Sequence, residues 1–167
     1  MEIYTDGACR GNPGPGGWAF EIWCDGESLA KNSGGFAATT NNRMEIRAAI
    51  FALEFAAEKF QNAKIEIFTD SQFLKNGAEI WLKNWQKNNW KTAAKKPVKN
   101  RDLWEKLAEF LRKSKVKFTH VPAHRGILKN EKVDRAAAAA ADRKNLPSEN
   151  LEKINRAQNL SLFRQND

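Results

Sequence analysis

At 167 residues, with 41% hydrophobic and 29% charged, the chain has the size and composition of a single soluble globular domain with a substantial core. Its 28 Lys+Arg against 20 Asp+Glu give a net charge of +8 and a pI near 9.6, a surplus that suits a polyanionic partner. No apolar run approaches the length of a membrane span and the N-terminus lacks a basic-then-apolar leader, so no membrane association and a cytoplasmic location are expected.

Ile3, Tyr4 and Thr5 are strand formers, and the strand they predict ends at Asp6-Gly7. Gly11, Gly14, Gly16 and Gly17, with Pro13 and Pro15, then form a loop that leaves room for something large to approach. Residues 18–24 and 28–36 read as two further strands joined at Asp25-Gly26, which makes an antiparallel meander. At 42–60 the period changes to that of a helix, capped by Thr40, Asn41 or Asn42. Residues 64–69 alternate like a strand that closes on Asp70, and 72–88 is helical with a break expected near Gly77. A helix over 101–113, a strand over 116–121 and a helix over 130–142 complete the pattern. Strands alternating with helices require parallel crossovers, so the expected fold is α/β: a mixed five-stranded sheet, three strands antiparallel and two parallel, with helices on both faces. The domain is expected over 1–142. Residues 143–167, polar and interrupted by Pro147, read as a peripheral tail with a short helix after Ser148. Cys9 and Cys24 lie too far apart in sequence for a zinc ligand pair, and both are expected as reduced thiols.

Four acids stand in unusual places. Asp6 and Asp70 close apolar strands. Glu45 lies in the first turn of its helix, above a stripe of Ala49, Ala52 and Ala56, and Asp134 lies on the alanine-lined face of the last helix. Any one of them alone reads more readily as a turn former or a helix-end charge. Together, on elements that adjoin in one sheet, they imply clustered carboxylates, whose repulsion is relieved by divalent cations. Oxygen ligands with few imidazoles favour Mg²⁺ or Mn²⁺, and such clusters suit two-metal phosphodiester hydrolysis. Between Ile80 and Arg101 no acid occurs. Lys83, Lys87, Lys91, Lys95, Lys96 and Lys99 interleave with Trp81, Trp85 and Trp90, a composition fitted to phosphates and sugar faces.

These motifs resemble the bacterial type I ribonuclease H family: Tyr4-Thr-Asp-Gly-Ala with the loop to Gly17, Thr40-Asn-Asn-Arg-Met-Glu45, Thr69-Asp-Ser-Gln72, the stretch from Trp81 to Asn100, and His124 ten residues before Asp134. The likeness covers about residues 1–142. It implies an endonuclease that cuts the RNA strand of RNA–DNA hybrids and leaves 5′-phosphate and 3′-hydroxyl ends. It also implies that Asp6, Glu45, Asp70 and Asp134 hold two Mg²⁺ ions, that His124 assists proton transfer or product departure, and that the chain acts as a monomer. By the same likeness Cys9, Gly11, Asn12, Asn41, Asn42 and Gln72 lie along the hybrid's minor groove, where polar groups detect the 2′-hydroxyl. Thr40 and Asn100 match a pocket for a DNA-strand phosphate, while Trp81, Trp85 and Lys87 match a basic protrusion at about 80–101. Two positions depart from the family pattern: Ala38, where a basic residue would strengthen the phosphate pocket, and the apolar Ile127-Leu128 after the histidine. A non-catalytic duplex-binding module and another nuclease of the same fold are the competing readings; the full acidic set argues against the first, and the Trp/Lys limb against the second.

Overall fold

A computed structural model of the chain describes residues 1–60 and 63–149. Strand β1 (Glu2–Cys9) pairs antiparallel with β2 (Gly14–Cys24), which pairs antiparallel with β3 (Glu27–Thr39). Strands β4 (Ile65–Thr69) and β5 (Val116–His120) add in parallel on the other side of β1, in the order β3-β2-β1-β4-β5. The expected mixed sheet is therefore present. Its second and third strands run further than the alternation pattern indicated, because Gly14, Gly16 and Gly17 continue the ladder opposite Thr39, Phe36 and Gly35. A glycine-rich stretch signals a turn in sequence, yet each of these residues keeps its backbone hydrogen-bonding groups for the ladder.

Helix α1 (Asn41–Lys59) follows β3 at once, with the Arg43 N–H donating to the side chain of its cap Thr40. Its buried Met44, Ala48, Ile50 and Leu53 share a core with Ile3, Phe20, Ile22 and Ile67. Helix α5 (Leu128–Ala141) lies on the opposite face, where Val133 and Ala137 meet Tyr4 and Ala19. Alternate strand residues thus feed two cores. The second core is thin because both sides are small: a Cβ placed on Gly17 would lie 2.1 Å from the Ala137 carbonyl oxygen.

The break expected near Gly77 is not a break. Helix α2 (Gln72–Asn76) passes through a single π-helical turn (Gly77–Trp81) into α3 (Leu82–Lys87) without leaving helical geometry. The glycine serves packing: a Cβ there would come within 2.1 Å of the ring of Trp104, which is fully buried in α4 (Arg101–Lys113).

Residues 143–149 return along β3, outside the span expected for the domain. The Ala37 N–H donates to the Pro147 carbonyl at 2.9 Å, and Arg143 donates to the Ser33 hydroxyl at 2.8 Å. Glu149 then accepts from Nε of Arg43 at 2.9 Å and from Nε of Arg47 at 2.7 Å, while Asp102 takes the other edge of the Arg43 guanidinium at 2.7 Å. The Arg47 side chain is 2% exposed, its guanidinium 4.9 Å from the centre of the Phe36 ring. The expected helix after Ser148 falls beyond Glu149, outside the described residues.

Among the described residues Glu149 is the carboxylate within ion-pairing distance of Arg47, so Glu149→Gln leaves a buried cation with only the more distant charge of Asp102 to offset it. The variant should lose about 3–5 kcal/mol of stability in chemical denaturation. Burial alone would raise the carboxyls of Glu149 and Asp102, but hydrogen bonds from the arginines outweigh it and hold both below their ordinary range. A carboxyl depressed by folding stabilises above its unfolded pKa of about 4 and loses that contribution as pH falls through the folded value. Melts of the unsubstituted chain should therefore weaken below about pH 4, and Glu149→Gln should weaken less steeply there.

Candidate active site

Three elements bring their acids together. Asp6 lies inside β1, which runs on to Cys9 instead of closing at the acid. Glu45 stands just past the first turn of α1 because the helix already starts at Asn41, and Asp70 is the residue after β4. One carboxylate oxygen from each lies within 4.8 Å of the other two. Asp6 is 5% exposed and Glu45 4%. The approach requires a residue without a side chain at position 7: a Cβ on Gly7 would sit 2.4 Å from the Glu45 backbone nitrogen. Glycine at this position of β1 thus sets how close β1 and α1 can lie, and with it the spacing of two acids.

Burial, then the charges of Asp70 and Asp134, pushes the Asp6 carboxyl up to about 8. Burial also raises Glu45 well above the carboxylate range, with Asp6 and Asp70 adding to it. Oxygen Oε2 of Glu45 is buried and has no hydrogen-bond partner among the described residues. An orphaned acceptor among crowded carboxylates is costly unless a cation takes it up. Oxygens on opposite sides of an octahedral Mg²⁺ are about 4 Å apart, so the donor set and its spacing fit a hard divalent cation.

Asp134, the fourth acid expected here, stands outside that tight group. It is half-buried on α5, its charge reaches Asp6, and its Oδ2 lies 3.6 Å from Nδ1 of His124. His124 is exposed and has a positive φ of 51° in the loop before α5. Two further residues enter that the residue pattern did not single out. Asn130, 2% exposed, donates from Nδ2 to Oδ2 of Asp70 at 3.1 Å. The His120 ring lies 3.1 Å from the Asp70 carbonyl oxygen. A signal for Asn130 was available, since it sits four residues before Asp134 and so on the same side of the helix.

The remaining candidates form two groups. Around the N-terminus of α1, the Cys9 thiol points at the carbonyls of Gly14 and Thr39, at 3.6 and 3.5 Å. Both cysteines are free thiols. Asn12, exposed beside Gly11, accepts from the Asn41 N–H at 3.3 Å, and Asn42 is exposed. Thr40 caps the helix, and Arg43 joins this group to Asn100 at 3.4 Å, a residue in left-handed geometry at φ 57°. Gln72 is exposed and donates to Asn76 at 2.8 Å. The second group is the limb. Trp81 and Trp85 are half-buried with ring centres 5.8 Å apart, and Trp85 packs edge-on against Trp104 at 5.5 Å. Lys83, Lys87, Lys91, Lys95, Lys96 and Lys99 are exposed. The tryptophans therefore anchor the limb to the core while its lysines face outward.

A model of the RNase H family matches residues 1–142. A ribonuclease H of Nitratidesulfovibrio vulgaris is 52% identical over 150 residues, covering 89% of this chain and 94% of its own length. One from Hydrogenovibrio crunogenus is 49% identical over 142 residues, covering 85% and 95%. Among solved structures, RNase H1 from the halophilic archaeon Halobacterium salinarum aligns with a TM-score of 0.64 at 32% identity, over 84% of this chain and 96% of that one. LC11-RNase H1 in complex with an RNA/DNA hybrid aligns with a TM-score of 0.65 at 28% identity, again over 84% and 96%.

Without a bound cation, a carboxyl raised to about 8 keeps its proton in the fold at pH values where the unfolded chain has lost it. Its contribution to stability is present below about pH 4 and is lost as pH rises toward about 8. The protein in EDTA should therefore become less stable across that interval, and Asp6→Asn should flatten the decline. Thermal melts at a series of pH values measure it. Adding Mg²⁺ at the upper end should restore stability to the unsubstituted chain more than to the variant.

Proposed function

Because the chain belongs to the ribonuclease H family, we propose that it is an endonuclease hydrolysing the RNA strand of RNA–DNA hybrids, giving 5′-phosphate and 3′-hydroxyl ends. The observation that carries this reading is the meeting of Asp6, Glu45 and Asp70 from three separate stretches of sequence, with a buried oxygen of Glu45 left for a cation. Asp6, Glu45, Asp70 and Asp134 would hold divalent metal, Mg²⁺ or Mn²⁺ as a substitute, with two ions in the substrate complex. When bound, the metal would supply an activated water and positive charge to offset the leaving oxygen.

The chain's own groups orient and relay. Asn130 holds Oδ2 of Asp70, and its fixed amide restricts the rotation of that carboxylate. His124, exposed and 3.6 Å from Asp134 in the loop before α5, is placed beside the acids to assist proton transfer or product departure. Cys9, Gly11, Asn12, Asn41, Asn42 and Gln72 read the minor groove of the hybrid, where the 2′-hydroxyl separates RNA from DNA. Thr40 and Asn100 grip a phosphate of the DNA strand, supported by the Arg43 link between them. Lys87 and its neighbours hold the DNA backbone further along, on a limb steadied by Trp81 and Trp85. Such recognition depends on shape and sugar, so little sequence preference is expected. All the acids come from one chain, in keeping with a monomer, and the activity belongs in the cytoplasm. Among the described residues no helix is long and apolar enough to cross a membrane.

Incubation with labelled RNA–DNA hybrid, duplex RNA and duplex DNA, with Mg²⁺ or EDTA, tests the reading directly: only the hybrid should be cut, and only with Mg²⁺. Asp70→Asn should abolish cleavage while hybrid binding persists, and appreciable cleavage by that variant would remove the residue from the metal-binding set. Lys87→Ala should raise KM with kcat little changed and lower the slope of log affinity against log salt by about 1. An unaltered slope would mean that this lysine makes no phosphate contact.

A further inference from the structure

Helix α5 has two flanks with opposite electrostatics. Asp134 lies on the flank whose charge reaches Asp6. Lys132 and Ala136, each two positions away, lie about 160° round the helix at about 100° per residue. That other flank forms one wall of a groove of about 620 Å³ whose second wall is β2 and β3. Four cations line it: Lys31, Lys132, Arg135 and Arg143, all exposed. Among the described residues none of the four is within ion-pairing distance of a carboxylate. The one acid in the lining, Glu21, is 6% exposed and accepts from the Ser28 hydroxyl at 2.7 Å. Two of the cations are already ordered. Arg143 is tethered to the carbonyl and hydroxyl of Ser33 at 3.1 and 2.8 Å, and the Lys132 ammonium lies 4.9 Å from the centre of the Trp23 ring.

We propose that this groove binds the phosphate backbone of a second, single-stranded nucleic acid, on the flank of α5 turned away from the acidic pocket. Unpaired cations in a row repel one another, and a polyanion with closely spaced charges relieves that repulsion along the whole row, releasing counterions as it binds. The groove is a cleft between a helix and a sheet face, lined by four cations within a volume of about 620 Å³. Its apolar lining is limited to Phe20, Val133 and Ala136, which offers no deep pocket for an anchoring side chain of an acidic protein. Positively charged grooves that follow one strand are the common mode of binding without sequence preference.

The test uses the full chain carrying Asp70→Asn, saturated with a short unlabelled RNA–DNA hybrid and titrated with labelled single-stranded DNA by fluorescence anisotropy. The DNA should bind without displacing the hybrid. Adding Lys31→Ala, Lys132→Ala and Arg135→Ala together should weaken DNA binding about tenfold or more and lower its salt slope by about 2, at roughly 0.7 per contact. The same three substitutions in the otherwise unaltered chain should leave hybrid cleavage within about twofold. Should the triple variant melt early, Lys31→Glu alone, exposed on β3, should still weaken DNA binding and lower the salt slope. One-for-one displacement of the hybrid, DNA binding insensitive to these substitutions, or equal competition by polyglutamate would each overturn the proposal. The readout is binding of DNA, so a chain that failed to cut hybrids would leave it standing.

Discussion

The repulsion among Asp6, Glu45 and Asp70 is the constraint around which the molecule is arranged. Carboxylates within 4.8 Å of one another, two of them buried, do not come together unaided. What forces them is backbone: the parallel pairing of β1 with β4, and the passage of β1 so close to the α1 amides that only glycine fits at position 7. The resulting cost is carried by the hydrophobic core under α1, where Met44, Ile46, Ala48 and Ile50 are fully buried directly beside Glu45. Local instability at the pocket and strong packing behind it are two sides of one design, as expected where function requires charge crowding.

Charge is sorted in the rest of the molecule to match. Asp6, Glu45 and Asp70 gather at one end of the central strands, while the lysines of the limb and Lys132 of α5 lie on exposed surfaces. Among the described residues the buried cation is Arg47, and it and the half-buried Arg43 beside Thr40 and Asn100 are balanced by Asp102 and Glu149. That balance fixes the start of α1 from below, and the Arg43 guanidinium reaches Asn100 from the same position. Glu149 lies outside residues 1–142, the span that carries the family pattern. The folded unit is thus longer than the inherited pattern by at least the residues that close this ion cluster.

How much of this could be read from sequence depended on whether a residue's role is local. Asp6 and Asp70 were visible because an acid right after an apolar strand-forming run is odd within a few residues, although β1 in fact continues past Asp6 to Cys9, and Glu45 because helical spacing set it over alanines. The sheet order followed from the switch between alternating and helical periods. Gly77 misled because a glycine in a helix signals a break, whereas here it makes room for Trp104, a neighbour 27 positions later that no local window contains. Gly14 to Gly17 misled in the same way, as turn formers that also continue a ladder. Asn130 and Glu149 were missed because their partners lie 60 and more than 100 residues away, at Asp70 and at Arg43 and Arg47. A single polar residue with a distant partner leaves no periodic trace.

The thinness of the α5 core has one more consequence. The helix rests on β2 through alanine methyls and the bare backbone of Gly17, so these small groups act as shims that set its height above the sheet. Asp134 rides on the same rigid rod, three residues from Ala137. The separation between the fourth acid and the other three is therefore governed by side chains with no polar atoms at all. A thicker shim at Ala137 or Ala140 would lift the rod and change the field at Asp6 without touching a single charged group.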